Sequence, residues 1–281
     1  MNGEATPTSH AHSRALDMLI PLAARYAPWL GLSSVLLPDE EVAEPLEDDP
    51  SRVRAMPLVL RMERDELPTR TALLEAAASA AVALSLDERS LPGGKWHAEV
   101  RPWLAGRIRK VARRARGAHW AAVLDLPGVT VRRGHAQVRA LLPWPAGELP
   151  RTVARLQVAG TDLPADEPAT PPDELPVLWL APHPPVTVGK AAAQVGHATV
   201  LLAALLAAQE RFVELDWWGC AGYPCAVRTA GHTQWSRLAP DDQPGRGWRE
   251  WSVLAVCDAG LTEVAPGMVT CLAQWPHIMR A

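Results

Sequence analysis

The chain has 281 residues, 48% apolar and 21% charged, with 12 Trp against 2 Tyr and 1 Phe. That composition suits a globular protein of one or two domains with enough chain to bury a core. The formal net charge of −3 conceals a block, residues 90–140, with 11 basic and 2 acidic groups, so a local footprint for a polyanion is expected rather than a uniformly charged surface. The apolar stretch Ala15 to Leu37 is interrupted by Asp17, Pro21, Arg25 and Pro28 and lacks the leader and cleavage pattern of a secretory signal. No membrane span and a cytoplasmic location are therefore expected. Cys220, Cys225, Cys257 and Cys271 form no CxxC pair and have no His/Cys cluster beside them. Reduced core thiols are expected, with no disulfide framework, metal site or cofactor.

Residues 1–55 read as an appended amphipathic helix, Arg14 to Leu37, followed by an acidic, proline-bounded linker, Asp39 to Pro50. Residues 56–160 read as a first lobe: strand Pro57 to Met62, helix Thr69 to Leu86, strand Trp96 to Val100, helix Trp103 to Arg116, then strands Ala121 to Leu124 and Gln137 to Leu142. Residues 161–175, TDLPADEPATPPDEL, hold four prolines and five acidic residues and form a second linker. Residues 176–281 read as a second lobe: strand Pro176 to Ala181, an Ala- and Leu-rich helix Gly189 to Phe212, strand Tyr223 to Thr229, a proline- and glycine-rich connection, then strands Ser252 to Cys257 and Val269 to Ala273. The expected fold class is α/β, two tandem small lobes, each a mixed four-stranded sheet flanked by helices. Val123 to Pro145 parallels Ala255 to Pro276 in the order Asp, Gly, Thr, Gly, Val, Leu, Trp-Pro, which suggests an internal duplication.

The residues that can carry chemistry lie in the second lobe. Lys190 opens a helix, and Gln194 and His197 follow on the same face at 3.6 residues per turn. An ammonium in the first turn adds to the positive end of the helix dipole, so an anion is expected there; a solvated lysine and a satisfied histidine would read the same way. Asp258 ends a strand before Ala259-Gly260, and Ala265-Pro266-Gly267 turns the chain back to the strand of Thr270, with Thr262 between. A carboxylate and two hydroxyls thus gather at one end of the sheet. A structural Asp–Lys ion pair is the other reading.

The segments GKAAAQVGHA, Gly189 to Ala198, and DAGLTEVAPGMVT, Asp258 to Thr270, resemble the two signature segments of type II peptidyl-tRNA hydrolases. They stand in the family's order, the first opening a helix after a strand. The resemblance implies a catalytic cluster of Lys190, Asp258, Thr262 and Thr270, with Gln194 and His197 in supporting positions. It also implies a tRNA carrying a peptidyl or acyl group as partner. Departures are Leu261 where the family often has Arg, Glu263 where it has Gln, and a proline- and glycine-rich Ala230 to Glu250 where it usually has a helix. In the first lobe a gapless alignment of Pro57 on Pro176 places Thr71 at the lysine, Glu75 at the glutamine and Ala78 at the histidine, with Asp125 and Thr130 retained. A copy lacking the cation should not catalyse. Since the family's members are typically homodimers, the chain resembles a fused pseudodimer, possible as a monomer.

Read as a helix, Arg101 to Arg116 would turn an apolar stripe inward and present Arg107, Arg109, Lys110, Arg113 and Arg114 to a tRNA backbone; a solvated basic face is the other reading. The implied reaction is hydrolysis of the acyl ester of tRNA. Asp258 would orient or deprotonate water, Lys190 would stabilise the developing negative charge, and the threonines would hold substrate or water. Transfer of the acyl group to an amine, or non-catalytic tRNA binding, are the alternatives.

Overall fold

The structure is a computed structural model, and it describes residues 7–27, 30, 53–145, 147–239, 244–258 and 263–276. The acidic run Asp39 to Pro50 and Thr262 lie outside the described residues. The chain forms two mixed α/β lobes in tandem. Helix α1 (Pro7–Tyr26) precedes the first lobe, which runs β1 (Arg54–Arg61), α2 (Arg70–Ser85), α3 (His97–Ala105), β2 (Arg109–Ala115), α4 (Gly117–Leu124), β3 (Gly128–Arg133), β4 (Ala136–Leu141), β5 (Trp144–Pro145) and α5 (Arg151–Ala154). The second lobe runs β6 (Val177–Leu180), α6 (Val188–Ala208), α7 (Phe212–Cys220), β7 (Ala226–Thr229), α8 (His232–Leu238), α9 (Pro244–Trp251), β8 (Val253–Cys257) and β9 (Val269–Gln274).

The two sheets have one topology. The first is ordered β2-β1-β4-β3 and the second β7-β6-β9-β8; β1 is parallel to β2 and antiparallel to β4, as β6 is parallel to β7 and antiparallel to β9. The short β5 adds to the edge of β1 and makes the first sheet five-stranded. In each lobe a threonine caps the long helix after the first strand: Thr69 accepts from the Ala72 N–H, and Thr187 from the Lys190 N–H.

The basic block is the largest departure from the sequence reading. Gly106 caps α3, and the chain then enters β2 alongside β1 in the register Ala55↔Arg109 to Arg61↔Ala115. Of the helix expected over Trp103 to Arg116, Trp103 to Ala105 are helical as the end of α3, whereas Arg109 to Ala115 form a strand. A strand sends successive side chains to opposite faces, so the cations are divided between two faces instead of forming one. Three further segments are helical where strands or an irregular connection are expected. Trp96 to Val100 belongs to the start of α3, Ala121 to Leu124 belongs to α4, and Ala230 to Glu250 holds α8 and most of α9. The strand β3 has no counterpart among the expected elements, and α6 ends at Ala208 before the separate helix α7.

The lobes share a core. Leu58, Leu74, Val82, Leu104, Val195, Leu202, Leu254 and Ala273 belong to one cluster of buried side chains that runs through both sheets' inner faces. Helices α2 and α6 meet at its centre through small residues. The Thr199 hydroxyl donates to the Ala78 carbonyl at 2.8 Å, and a Cβ at Gly196 would stand only 3.1 Å from the Ala81 side chain. Helix α1 lies over α6 with Met18, Leu19 and Leu22 fully buried. The outer face of the first sheet is covered by α4 and α5 through Trp120, Val123, Val153 and Leu156, and that of the second by α8 through Leu238.

Residues 161–175 form no helix or strand, as expected, yet they are tied to both lobes. Thr161 and Leu163 are buried, and Asp166 accepts hydrogen bonds from the Thr71 N–H and hydroxyl, each at 3.0 Å. Of the cysteines, Cys225 and Cys271 are buried thiols, whereas Cys220 and Cys257 are exposed, which corrects the expectation of four core thiols. Helix α6 is long and apolar enough to cross a membrane, a segment that the reading of Ala15 to Leu37 passes over. Its most apolar window is 83% buried inside the protein, the environment of a core helix.

Candidate active site

The first turn of α6 is held from three sides. Thr187 caps it, and the Thr187 N–H and hydroxyl donate to the two oxygens of Glu263, at 2.9 and 2.6 Å. The Gly189 N–H donates to the Thr161 hydroxyl at 3.0 Å, from the strap between the lobes. A Cβ here would lie 3.0 Å from that oxygen, so the Thr161 hydroxyl would have to shift. The N–H groups of Gly189 and Lys190 are thus satisfied within the protein. The anion expected at the helix start is supplied by the protein as well: it is Asp258.

Asp258 leaves the end of β8, and its backbone closes a loop with β9. Its N–H donates to the Met268 carbonyl at 2.9 Å, and its carbonyl accepts from the Gly267 N–H at 2.7 Å. Gly267 adopts φ +78°, a conformation that opposes a β-carbon. The Lys190 Nζ stands 2.5 Å from Asp258 Oδ2, with side-chain exposures of 11% and 4%. The Gln194 Nε2 donates to the same oxygen from the next turn of α6. Thr270 is buried on β9, and its hydroxyl donates to the Val256 carbonyl, two residues before the aspartate, at 3.5 Å. The structure thus brings Lys190, Gln194 and Asp258 into contact and sets Thr270 beneath them. It leaves His197 one turn further along.

His197 meets Tyr26 of α1, whose hydroxyl lies 3.4 Å from its Nε2. Burial, then the charges of Lys110 and Arg25, push the imidazole pKa well below the usual histidine value. The side chain is neutral in the folded protein near pH 7. The unfolded chain takes up that proton below about pH 6.5 while the folded one does not, so stability falls as pH drops through that value. Unfolding free energies from urea titrations at pH 7 to pH 5 should decrease, by at most about 1.4 kcal/mol per pH unit from this group. The His197→Gln variant should show a flatter profile; an unchanged slope would remove His197 as the cause.

The first lobe lacks this constellation. Thr71, at the position aligned with Lys190, is taken by Asp166, and Glu75, at that of Gln194, pairs with Arg228 at 3.0 Å and accepts from the Val227 N–H at 3.2 Å. Asp125 is not the counterpart of Asp258. It caps the end of α4 before β3, whereas Asp258 follows β8, the strand that occupies β3's place in the sheet order. Thr130 lies on β3 and accepts from Arg139 at 2.7 Å.

The residues expected to face a tRNA are scattered. Arg107 is exposed and Arg109 partly buried. Lys110 turns toward α6, where its amine donates to the Ile108 carbonyl at 3.0 Å and sits 4.8 Å from the centre of the Trp103 ring; burial pushes its pKa well down. Arg113 donates to the Leu156 carbonyl at 2.8 Å, and Arg114 to Gln157 Oε1 at 2.8 Å and the Gly160 carbonyl at 2.7 Å. The sequence reading does not single out Thr161 or Thr187. The Thr-x-x-Lys spacing of a helix cap signals Thr187, but nothing local signals Thr161.

No curated protein and no solved structure matches the chain. Residues 185–279, from just before α6 to beyond β9, match the family model Peptidyl-tRNA hydrolase PTH2, so that part of the C-terminal lobe is similar to this family.

Proposed function

We propose that the protein hydrolyses the ester that joins a peptidyl or acyl group to the terminal ribose of tRNA. The observation that carries the reading is the contact of Lys190, Gln194 and Asp258 within the segment that matches the family. In the resting site one carboxylate oxygen of Asp258 is shared by Lys190 and Gln194. Gln194 fixes the plane of the carboxylate, and Asp258 orients the attacking water and accepts its proton. Lys190 then exchanges part of its interaction with Asp258 for the oxyanion, or for the ribose oxygen as it leaves. Thr270 supports β8, the strand that leads to the carboxylate, and Thr262, four residues after Asp258 in the sequence, holds substrate or water. Water adds to the ester carbon, the bond to the ribose oxygen breaks, and that oxygen takes the proton.

In the same reading the first lobe is a duplicated, non-catalytic copy. The shared strand order and the matching threonine caps support it. It contributes cationic contacts to the tRNA through Arg107, Arg109, Arg113 and Arg114, while Lys110 acts mainly at the lobe interface. The two lobes then stand in for the two subunits of a dimer within one cytoplasmic chain.

The test is to incubate the purified chain with N-acetyl-aminoacyl-tRNA and identify the acyl product. Free N-acetyl amino acid and deacylated tRNA are expected. A new amide would make the protein an acyl transferase, and an intact ester would overturn the reading.

A further inference from the structure

A cavity of about 220 Å³ opens in the first lobe at the end of β2, outside the segment that matches the family. Arg114, Arg116, His119 and Arg155 line it, over a floor that includes Met62 and Leu156. Arg116, His119 and Arg155 are exposed, whereas Met62 and Leu156 are 8% and 5% exposed. None of the lining residues is acidic. The Glu63 carboxylate, next to Met62 in sequence, accepts from the Gly117 N–H at 3.2 Å and from Arg61 at 3.0 Å, and it also feels the charge of Arg116. The cavity sits where the Met62 N–H donates to the Ala115 carbonyl, at the carboxyl ends of the parallel strands β1 and β2. Open α/β sheets commonly bind ligands at that end of their strands.

Cations gathered round an apolar floor suit a ligand that has both an anionic and a flat, weakly polar part. A nucleotide has this form: phosphate for the arginines, and a base for the floor and the imidazole of His119. Such recognition requires a base that is free of a duplex.

The position of the cavity ties it to the chemistry of the other lobe. Arg114 donates to the Gly160 carbonyl, and the next residue, Thr161, accepts from the Gly189 N–H beside Lys190. Ala112 of β2 lies 3.6 Å from where a Gly189 Cβ would stand. Arg116, four residues further along the chain, is roughly 13 Å from Ala112 at the rise of an extended strand. The cavity and the catalytic turn are separated by a distance that a few unpaired nucleotides can span.

We propose that this cavity holds a nucleotide of the unpaired 3′ end of the acyl-tRNA, with a backbone phosphate on Arg116 and Arg155 and the base over Met62 and Leu156 beside His119. The assignment rests on the hydrolase reading above for the identity of the RNA. The first lobe then guides the acceptor end toward Lys190, and the second lobe cleaves it.

The test uses the full chain and the double variant Arg116→Gln/Arg155→Gln; both side chains are exposed, and neither makes a side-chain helix cap. Binding of the single-stranded ribonucleotide CCA is measured against that of a blunt RNA duplex over a range of salt concentrations. The wild type should prefer the single strand. The variant should bind it about tenfold more weakly, with a salt slope reduced by about 0.7 for the one phosphate no longer neutralised. Equal CCA binding by wild type and variant, or equal binding of the duplex and CCA by the wild type, overturns the proposal. The variant should also raise KM for N-acetyl-aminoacyl-tRNA about tenfold while leaving kcat, and the hydrolysis of N-acetyl-aminoacyl-adenosine, unchanged. That ester has no phosphate to reach the cavity, so a slower reaction with it would signal damage to the catalytic lobe and overturn the assignment. If the wild type cleaves neither ester but the CCA contrast remains, the hydrolase reading falls and the nucleotide site stands.

Discussion

Lys190→Ala is expected to lower kcat for N-acetyl-aminoacyl-tRNA by about 10² to 10³, the usual loss when a single well-placed stabilising donor is removed. The same substitution leaves Asp258 only 4% exposed without its cation, and breaking a buried pair from one side costs about 3 kcal/mol or more. Activity and thermal unfolding must therefore be measured together, below the variant's transition temperature. Asp258→Asn should reduce kcat at least as far, because an amide can hold the Gln194 side of the site but cannot take a proton from water. The double variant Lys190→Met/Asp258→Asn separates the two effects. It should be more stable than the lysine variant alone, since no unpaired charge remains, and just as inactive. Near-normal kcat in either single variant, with the fold intact, would reduce the pair to a structural ion pair.

Gly196→Val is expected to lower thermal stability by overfilling the contact between the lobes. A Cβ there would stand 3.1 Å from the Ala81 side chain, 3.2 Å from Lys110 Cδ and 3.4 Å from a Leu58 methyl. Three elements of the first lobe thus crowd one position of the second lobe's helix. Overfilling such a contact costs about 1–3 kcal/mol, and the β-branched side chain adds a smaller helix penalty. For a chain of this size that corresponds to a drop in Tm of about 2–4 °C per kcal/mol. Val200→Ala on the same helix removes buried apolar atoms without adding any, so the cost there arises from a cavity instead. A Gly196→Val protein with an unchanged Tm would mean that the lobes do not press on each other as described.

The site is more legible in the sequence than much of the first lobe, for physical reasons. Lys190, Gln194 and Asp258 sit in short strings whose local conformation is fixed by local rules, a capped helix start and a glycine turn, and sheet closure alone brings them together. The basic block misleads because Leu104, Ile108, Val111, Ala112 and Ala115 satisfy a helical period by chance. What decides the matter is the empty edge of β1, which a parallel strand completes over seven paired residues, and Gly106, which ends α3 within the block. Asp125 matches Asp258 within a string of like residues, although one precedes its hairpin strand and the other follows it. Thr161 carries no local signal at all, since its role depends on where a proline-rich strap crosses α6.

Helix α6 turns almost no side to water. It is enclosed by the N-terminal helix, by α2, by the edge of the first sheet and by its own sheet. A gene trimmed to the segment that matches the family model would strip three of those neighbours away and leave a greasy rod of alanine and leucine bare. The C-terminal lobe is thus expected to need the remainder of the polypeptide around this helix in place of solvent.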